Sequence, residues 1–228
     1  MPLNSCAMKS NDEHYTPFEM PVIDLDGVRL ALCRIEPDHE RGTRRRRERQ
    51  AVQRLLEYFG FSESAYRHSA SGAPYIDDSE LHISVSHSLG YAAMAVSLQP
   101  GIGVDIEQLR PAQLQHVAPR FLSEREQAEY STPDRLLWAW AAKEAIYKAA
   151  AIPGLSGPEM ELESAFCRVA RVDDEYFRLS TLYSVEYCCV VALFQPRTLN
   201  QTVCLSHTEL AENTEILDRN ENLPSIEY

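Results

Sequence analysis

The chain has 228 residues, a formal net charge of −12 and 44% hydrophobic residues. That length supports one large domain or two small ones with a real core, the acidity argues against general nucleic-acid binding, and no run approaches the ~18 apolar residues that cross a membrane. The six cysteines show no C-x-x-C spacing, which disfavours zinc, and no basic-then-apolar segment opens the chain, so a cytoplasmic protein with reduced thiols is expected.

Residues 1–20 are polar and without period and read as a loose arm. A strand is expected over 27–35, a turn over 37–42 and a helix over 44–60, where Ala51, Leu55, Leu56 and Phe59 recur at helical spacing and Gly60 is a natural stop. Residues 81–85 and 92–98 read as strands joined through 86–91, and Pro100-Gly101 as a turn and hinge between halves. The run 102–107 alternates apolar and acidic after its glycine, a strand pattern. A helix follows over 111–121. Ser123 caps another, with Glu126 completing a capping box. Asp134 is expected to cap a long helix that reaches about Ala151 and ends at Pro153-Gly154. Residues 166–172, 177–183 and 187–194 read as closing antiparallel strands, with Cys188 and Cys189 as small buried hydrophobes. After Pro196 the chain is polar and acidic and reads as a tail. The organisation is thus an arm (1–20), an α/β half (21–100), a second α/β half (101–196) and a tail (197–228), of class α+β.

The second half carries the chemistry. Asp105 and Glu107 are two apart in a strand and so share a face. Glu144 and Lys148 are four apart in an Ala-rich helix and also share a face. A strand edge and a helix face can meet at one hard cation, which takes carboxylates and leaves its other positions to water and phosphate oxygens. A lysine beside it adds charge where a departing phosphate becomes negative. Taken singly, Asp-x-Glu is usually a solvated edge and Glu144–Lys148 a surface pair worth about 0.3–0.5 kcal/mol.

Several segments occur together in order. They are Gly72-Ala73-Pro74-Tyr75-Ile76, Ile83-Ser84-Val85-Ser86-His87-Ser88, Gly103-Val104-Asp105-Ile106-Glu107, Phe121-Leu122-Ser123-Glu124-Arg125-Glu126, and Trp140-Ala141-Ala142-Lys143-Glu144-Ala145-Ile146-Tyr147-Lys148. Their order and gaps, over residues 44–191, resemble the 4′-phosphopantetheinyl transferases, in particular the larger, surfactin-synthetase-type branch. The resemblance implies two similar α/β lobes related by a pseudo-twofold axis, with the active site in the cleft between them. It implies transfer of the phosphopantetheine arm of coenzyme A, the co-substrate, to a serine of an apo acyl or peptidyl carrier protein. The chain has no nucleophile elbow of its own, in keeping with a nucleophile on the partner.

On that resemblance Asp105, Glu107 and Glu144 hold Mg²⁺, with Mn²⁺ also open. Glu144 is the candidate general base, and Lys148 stabilises departing adenosine 3′,5′-bisphosphate. Ser86, His87, Lys143 and Lys148 are candidate ligands of coenzyme phosphates. So are Arg44 and Arg47, from the run 44–47 that Arg41 and Arg49 flank. Trp138, Trp140 and Tyr147 are candidates to line the cleft or the core, and Phe121 and Leu122 to meet the carrier. A monomer is implied, since one chain holds both lobes. The pattern departs at Ala73, where the family has a coenzyme-contacting lysine; Arg67 and the arginine run are cations that can compensate. Three other readings stand beside this one: a non-catalytic module binding coenzyme A or a carrier, another Mg²⁺-dependent phosphoryl transferase, and RNA binding through the arginines. The chain lacks a P-loop, against the second. Its acidity and the absence of interleaved aromatics weigh against the third.

Overall fold

The computed structural model describes residues 18–19, 21, 23, 25–35, 44–108 and 111–196. The expected turn over 37–42, Arg41, the tail after Pro196 and all of the arm but residues 18–19 lie outside them. In chain order the first elements are strands β1 (Phe18–Glu19) and β2 (Val28–Arg34), helix α1 (Arg44–Tyr58), and strands β3 (Tyr66–His68), β4 (Pro74–Ile76), β5 (His82–His87) and β6 (Tyr91–Ser97). Then come strand β7 (Ile102–Glu107), helices α2 (Pro111–Phe121), α3 (Glu124–Glu129) and α4 (Pro133–Ala150), and strands β8 (Met160–Leu162), β9 (Val169–Val172), β10 (Glu175–Tyr183) and β11 (Cys188–Gln195).

The first sheet runs β1-β2-β6-β5 and the second β7-β11-β10-β9-β8, while β3 and β4 pair as a hairpin. Both halves follow one plan: the first long strand pairs with the last, and the last with the one before it. Alternation on each strand decides which way residues face. Ala31 and Cys33 of β2 meet Ala51, Leu55 and Leu56 of α1. Leu30 and Leu32 face the other way and join Val104, Ile106 and Val191 of the second sheet in a shared core. Cys188, Val190 and Ala192 of β11 meet α4. The layers are therefore α1, first sheet, second sheet, α4. Cys188 and Cys189 are both fully buried, one in each core, as small hydrophobes.

The capping box at Ser123 forms, its hydroxyl accepting from Glu126 N–H while the Glu126 carboxylate accepts from Ser123 N–H. Two expectations are corrected. The N-cap of α4 is Thr132, not Asp134, because Pro133 takes the first helical position, where its missing N–H costs nothing. Asp134 instead accepts a hydrogen bond from the Tyr183 hydroxyl at 2.8 Å. The strand expected from 166 begins only at Val169, since Phe166 has a φ of 58° and turns the chain. Strands β1, β3, β4 and β8 are two or three residues long, too short to display a period.

Candidate functional site

The site is a seam between β7 and α4. Gly103, Asp105 and Glu107 occupy the face of β7 turned to the helix, since Ile102, Val104 and Ile106 face the first sheet. Helix α4 lies so close that a Cβ on Gly103 would stand 1.9 Å from the Ala145 carbonyl oxygen. Nothing but glycine fits there. This contact sets the register that brings Lys148 to Asp105 and, two turns earlier in the helix, Trp140 to Glu107.

Lys148 Nζ donates to Asp105 Oδ1 at 2.7 Å and to the Val104 carbonyl at 2.8 Å. An ammonium has three N–H donors, so one remains. Ser86 Oγ also donates to Asp105 Oδ1, at 2.8 Å. Asp105 is 5% exposed, and its Oδ2 has no hydrogen-bond partner among the described residues. Trp140 Nε1 donates to Glu107 Oε1 at 3.2 Å and Ser88 Oγ to Oε2 at 3.1 Å. Burial holds the Glu144 carboxyl above its usual range, and repulsion from Asp105 and Glu107 adds to this against the attraction of Lys148.

The three carboxylates expected to hold a metal thus share one seam, where Asp105 and Glu107 bear electrostatically on Glu144. Among the described residues no group of three or more His, Cys, Asp or Glu side chains is closed around a metal position. Lys148 and Ser86 occupy Asp105 Oδ1, and Ser88 and Trp140 occupy Glu107. The donors themselves fit a hard divalent cation. They are all oxygens, they repel one another, and a buried carboxylate oxygen lacks a partner, which an ion would supply.

Two other predicted ligands meet at the first sheet. Arg44 Nε lies 2.7 Å from Glu48 Oε1, and His87 Nδ1 lies 3.7 Å from the same oxygen. Arg44 is exposed and Arg47 half-buried on α1, so α1 presents cations beside the end of β5. Lys148 also lines a cleft of about 260 Å³, bounded by Tyr75 and Ile76 of β4, His82 and Ile83 of β5, and Ala149 of α4. Ala73 is exposed in the β3–β4 turn, and Arg67 on β3 pairs with Asp77 at 3.2 Å.

Several candidates stand elsewhere. Lys143 is not in the seam. It is 2% exposed, and its ammonium donates to Glu126 Oε2 at 2.7 Å and to the Gly157 carbonyl at 2.9 Å. Burial pulls its pKa down, opposed by Glu126. Ser86 is not free to ligate phosphate through its hydroxyl, which is committed to β7. Trp138 is core, its Nε1 donating to Thr181 Oγ1 at 2.9 Å. Phe121 and Leu122 are also core and present no carrier surface, at 7% and 2% exposure. Tyr147 is exposed. Sequence reasoning missed Ser88 and Ser84. The signal was present: serines at 84, 86 and 88 recur with the period of a strand face.

Residues 101–203 match the family model of the 4′-phosphopantetheinyl transferase superfamily. The match begins one residue before β7 and holds Asp105, Glu107, Glu144 and Lys148. No curated protein matches the chain.

Proposed function

We propose that the protein transfers the 4′-phosphopantetheine arm of coenzyme A to a serine of an apo carrier protein, as a member of the larger branch of the superfamily. The observation that carries this reading is the β7–α4 seam, where three mutually repelling carboxylates stand beside Lys148 inside the matched residues. The motifs over residues 44–100 extend it to the first half, as does the common strand pairing of the two halves. That common plan supports the pseudo-twofold reading. Both halves lie in one chain, which supports a monomer.

A divalent cation, Mg²⁺ or Mn²⁺, held by Asp105, Glu107 and Glu144 would neutralise the pyrophosphate and align its phosphorus. The residues do the rest. The carrier serine attacks the pantetheine-side phosphorus. Its proton passes to Glu144, directly or through one water. The bond from that phosphorus to the bridging oxygen breaks, and adenosine 3′,5′-bisphosphate leaves with the remaining Lys148 N–H beside it. Arg44 and Arg47 offer cations, and His87 a ring nitrogen, for the other coenzyme phosphate.

The test is the intact mass of an apo acyl carrier protein incubated with this protein, coenzyme A and Mg²⁺, with EDTA as control. A metal-dependent gain of one phosphopantetheine arm is expected. No gain across fatty-acid, polyketide and peptidyl carriers, despite measurable coenzyme binding, overturns transfer in favour of a binding module.

A further inference from the structure

Three serines with the period of one strand face cross from the first sheet to the second. Strands β5 and β7 are the edges of their sheets and lie side by side without a shared ladder. Ser84 Oγ accepts from Val104 N–H at 3.0 Å, and Ser86 Oγ accepts from Ile106 N–H at 3.3 Å. Ser86 Oγ then donates its own proton to Asp105 Oδ1 at 2.8 Å, and Ser88 Oγ donates to Glu107 Oε2 at 3.1 Å. All three are buried, at 3%, 8% and 5% exposure. The three hydroxyls therefore differ in what they hold. Ser84 touches only backbone, Ser88 reaches a carboxylate, and Ser86 does both.

We infer that Ser86 and Ser88 are positioning residues for the metal carboxylates, so that the first half of the chain orients the ligands carried by the second. This rests on the metal reading above. Ser86 joins Lys148 on Oδ1 of Asp105 and leaves the buried Oδ2 for the cation. Ser88 and Trp140 hold Glu107 from its two oxygens. Without these donors each carboxylate regains rotamer freedom that must be lost again on binding. Groups that hydrogen-bond ligating carboxylates commonly contribute 10–100-fold to metal affinity.

The experiment titrates the full-length protein with Mn²⁺ alone, by calorimetry, and records thermal unfolding of the same samples. Ser86→Ala and Ser88→Ala are expected to bind Mn²⁺ about tenfold more weakly. Ser84→Ala is expected to unfold at lower temperature, as Ser86→Ala does, yet to bind Mn²⁺ like the wild type. Ser88→Thr, which restores a hydroxyl, recovers affinity. Wild-type affinity in both Ser86→Ala and Ser88→Ala overturns the inference, as does an equal loss in Ser84→Ala, which makes the serines staples only. A wild type that binds no Mn²⁺, or binding that survives Asp105→Asn, overturns the metal reading itself and the inference with it.

Discussion

Helix α1 lays one stripe on the first sheet, Ala51, Leu55 and Leu56 with Glu48, and leaves most of its arginines to solvent. Helix α4 buries ten residues, among them a lysine, and presses its backbone onto β7. The difference is one of approach distance. A helix that rests on side chains leaves room at the sheet. One that rests on a glycine brings its own side chains within hydrogen-bond reach of the strand, and so Glu144, Lys148 and Trp140 can act on Asp105 and Glu107. The first half presents hydroxyls and cations; the second presents carboxylates held at close quarters.

The sharpest way to break this contrast is Gly103→Ala. Its Cβ would meet the Ala145 carbonyl oxygen at 1.9 Å and the Ala149 nitrogen at 2.8 Å, backbone against backbone. A loss of about 3 kcal/mol or more is expected, read as a collapse in soluble yield or in the denaturant midpoint. Gly60, at the end of α1, has open space around it and a φ of 79°. Gly60→Ala strains only the backbone and should cost about 1 kcal/mol. Equal losses at the two sites would contradict the close approach of α4.

The ion pairs of the two helices give the next largest contrast. Lys143 and Glu126 are each 3% exposed in their side chains. Lys143→Met removes one partner and strands a buried carboxylate, at a cost of about 3–5 kcal/mol in chemical unfolding. Arg44 is 66% exposed beside Glu48. Arg44→Ala should change stability by no more than about 0.5 kcal/mol.

Lys143 also shows where the sequence stops being legible. It precedes Glu144, yet neighbours on a helix point about 100° apart. Glu144 lies in the seam, and Lys143 turns into the core beneath α3. Periodicity fixes which residues share a face, and β7, α2 and the Ser123 capping box fall where it puts them. Periodicity does not say what stands across from a face. Hence Phe121 and Leu122, expected on the resemblance to meet the carrier, are placed in the core only by the packing of α2 on α4. The same holds for Ser84, Ser86 and Ser88, whose spacing is visible but whose target is not. That Asp105 and Glu107 share one face and Glu144 and Lys148 another was legible because strand and helix each have a fixed period.

Glu144→Gln separates catalysis from the scaffold. Loss of the base should lower transfer at least 100-fold, measured as product mass over time, while a binding module would change little. The same variant carries a pH signature. Because the native carboxyl sits above its ordinary value of 4.5, the folded state binds more protons than the unfolded state as pH rises through that window. Stability is therefore fully present below the unfolded value and is lost as pH climbs through the raised native one. In EDTA, Glu144→Gln should unfold at a higher temperature than the wild type at pH 7, and the gap should close near pH 4. A gap independent of pH would mean that neither burial nor the neighbouring carboxylates hold Glu144 above its ordinary range.

A smaller effect than loss of Glu144 concerns the tie between the halves outside the seam. Tyr91 of β6 donates its hydroxyl to Glu186 Oε2 at 2.6 Å and accepts from Arg34 Nη2 at 2.6 Å, and its ring meets that of Tyr187 edge-on at 4.8 Å. Glu186 and Tyr187 belong to the turn between β10 and β11, so this cluster joins the first sheet to the second near Ser88. Tyr91→Phe keeps the ring contact and removes only the hydroxyl. A loss of about 1 kcal/mol is expected in thermal or chemical unfolding, because Arg34 and Glu186 are half-exposed and remain able to pair and to meet water. Mn²⁺ affinity should stay at the wild-type value, since the hydroxyl is bonded to Arg34 and Glu186, which are not among the expected metal ligands. A tenfold loss of affinity in Tyr91→Phe would mean that any loosening between the sheets disturbs the metal ligands. The division of labour among the serines would then reduce to the rigidity of the junction.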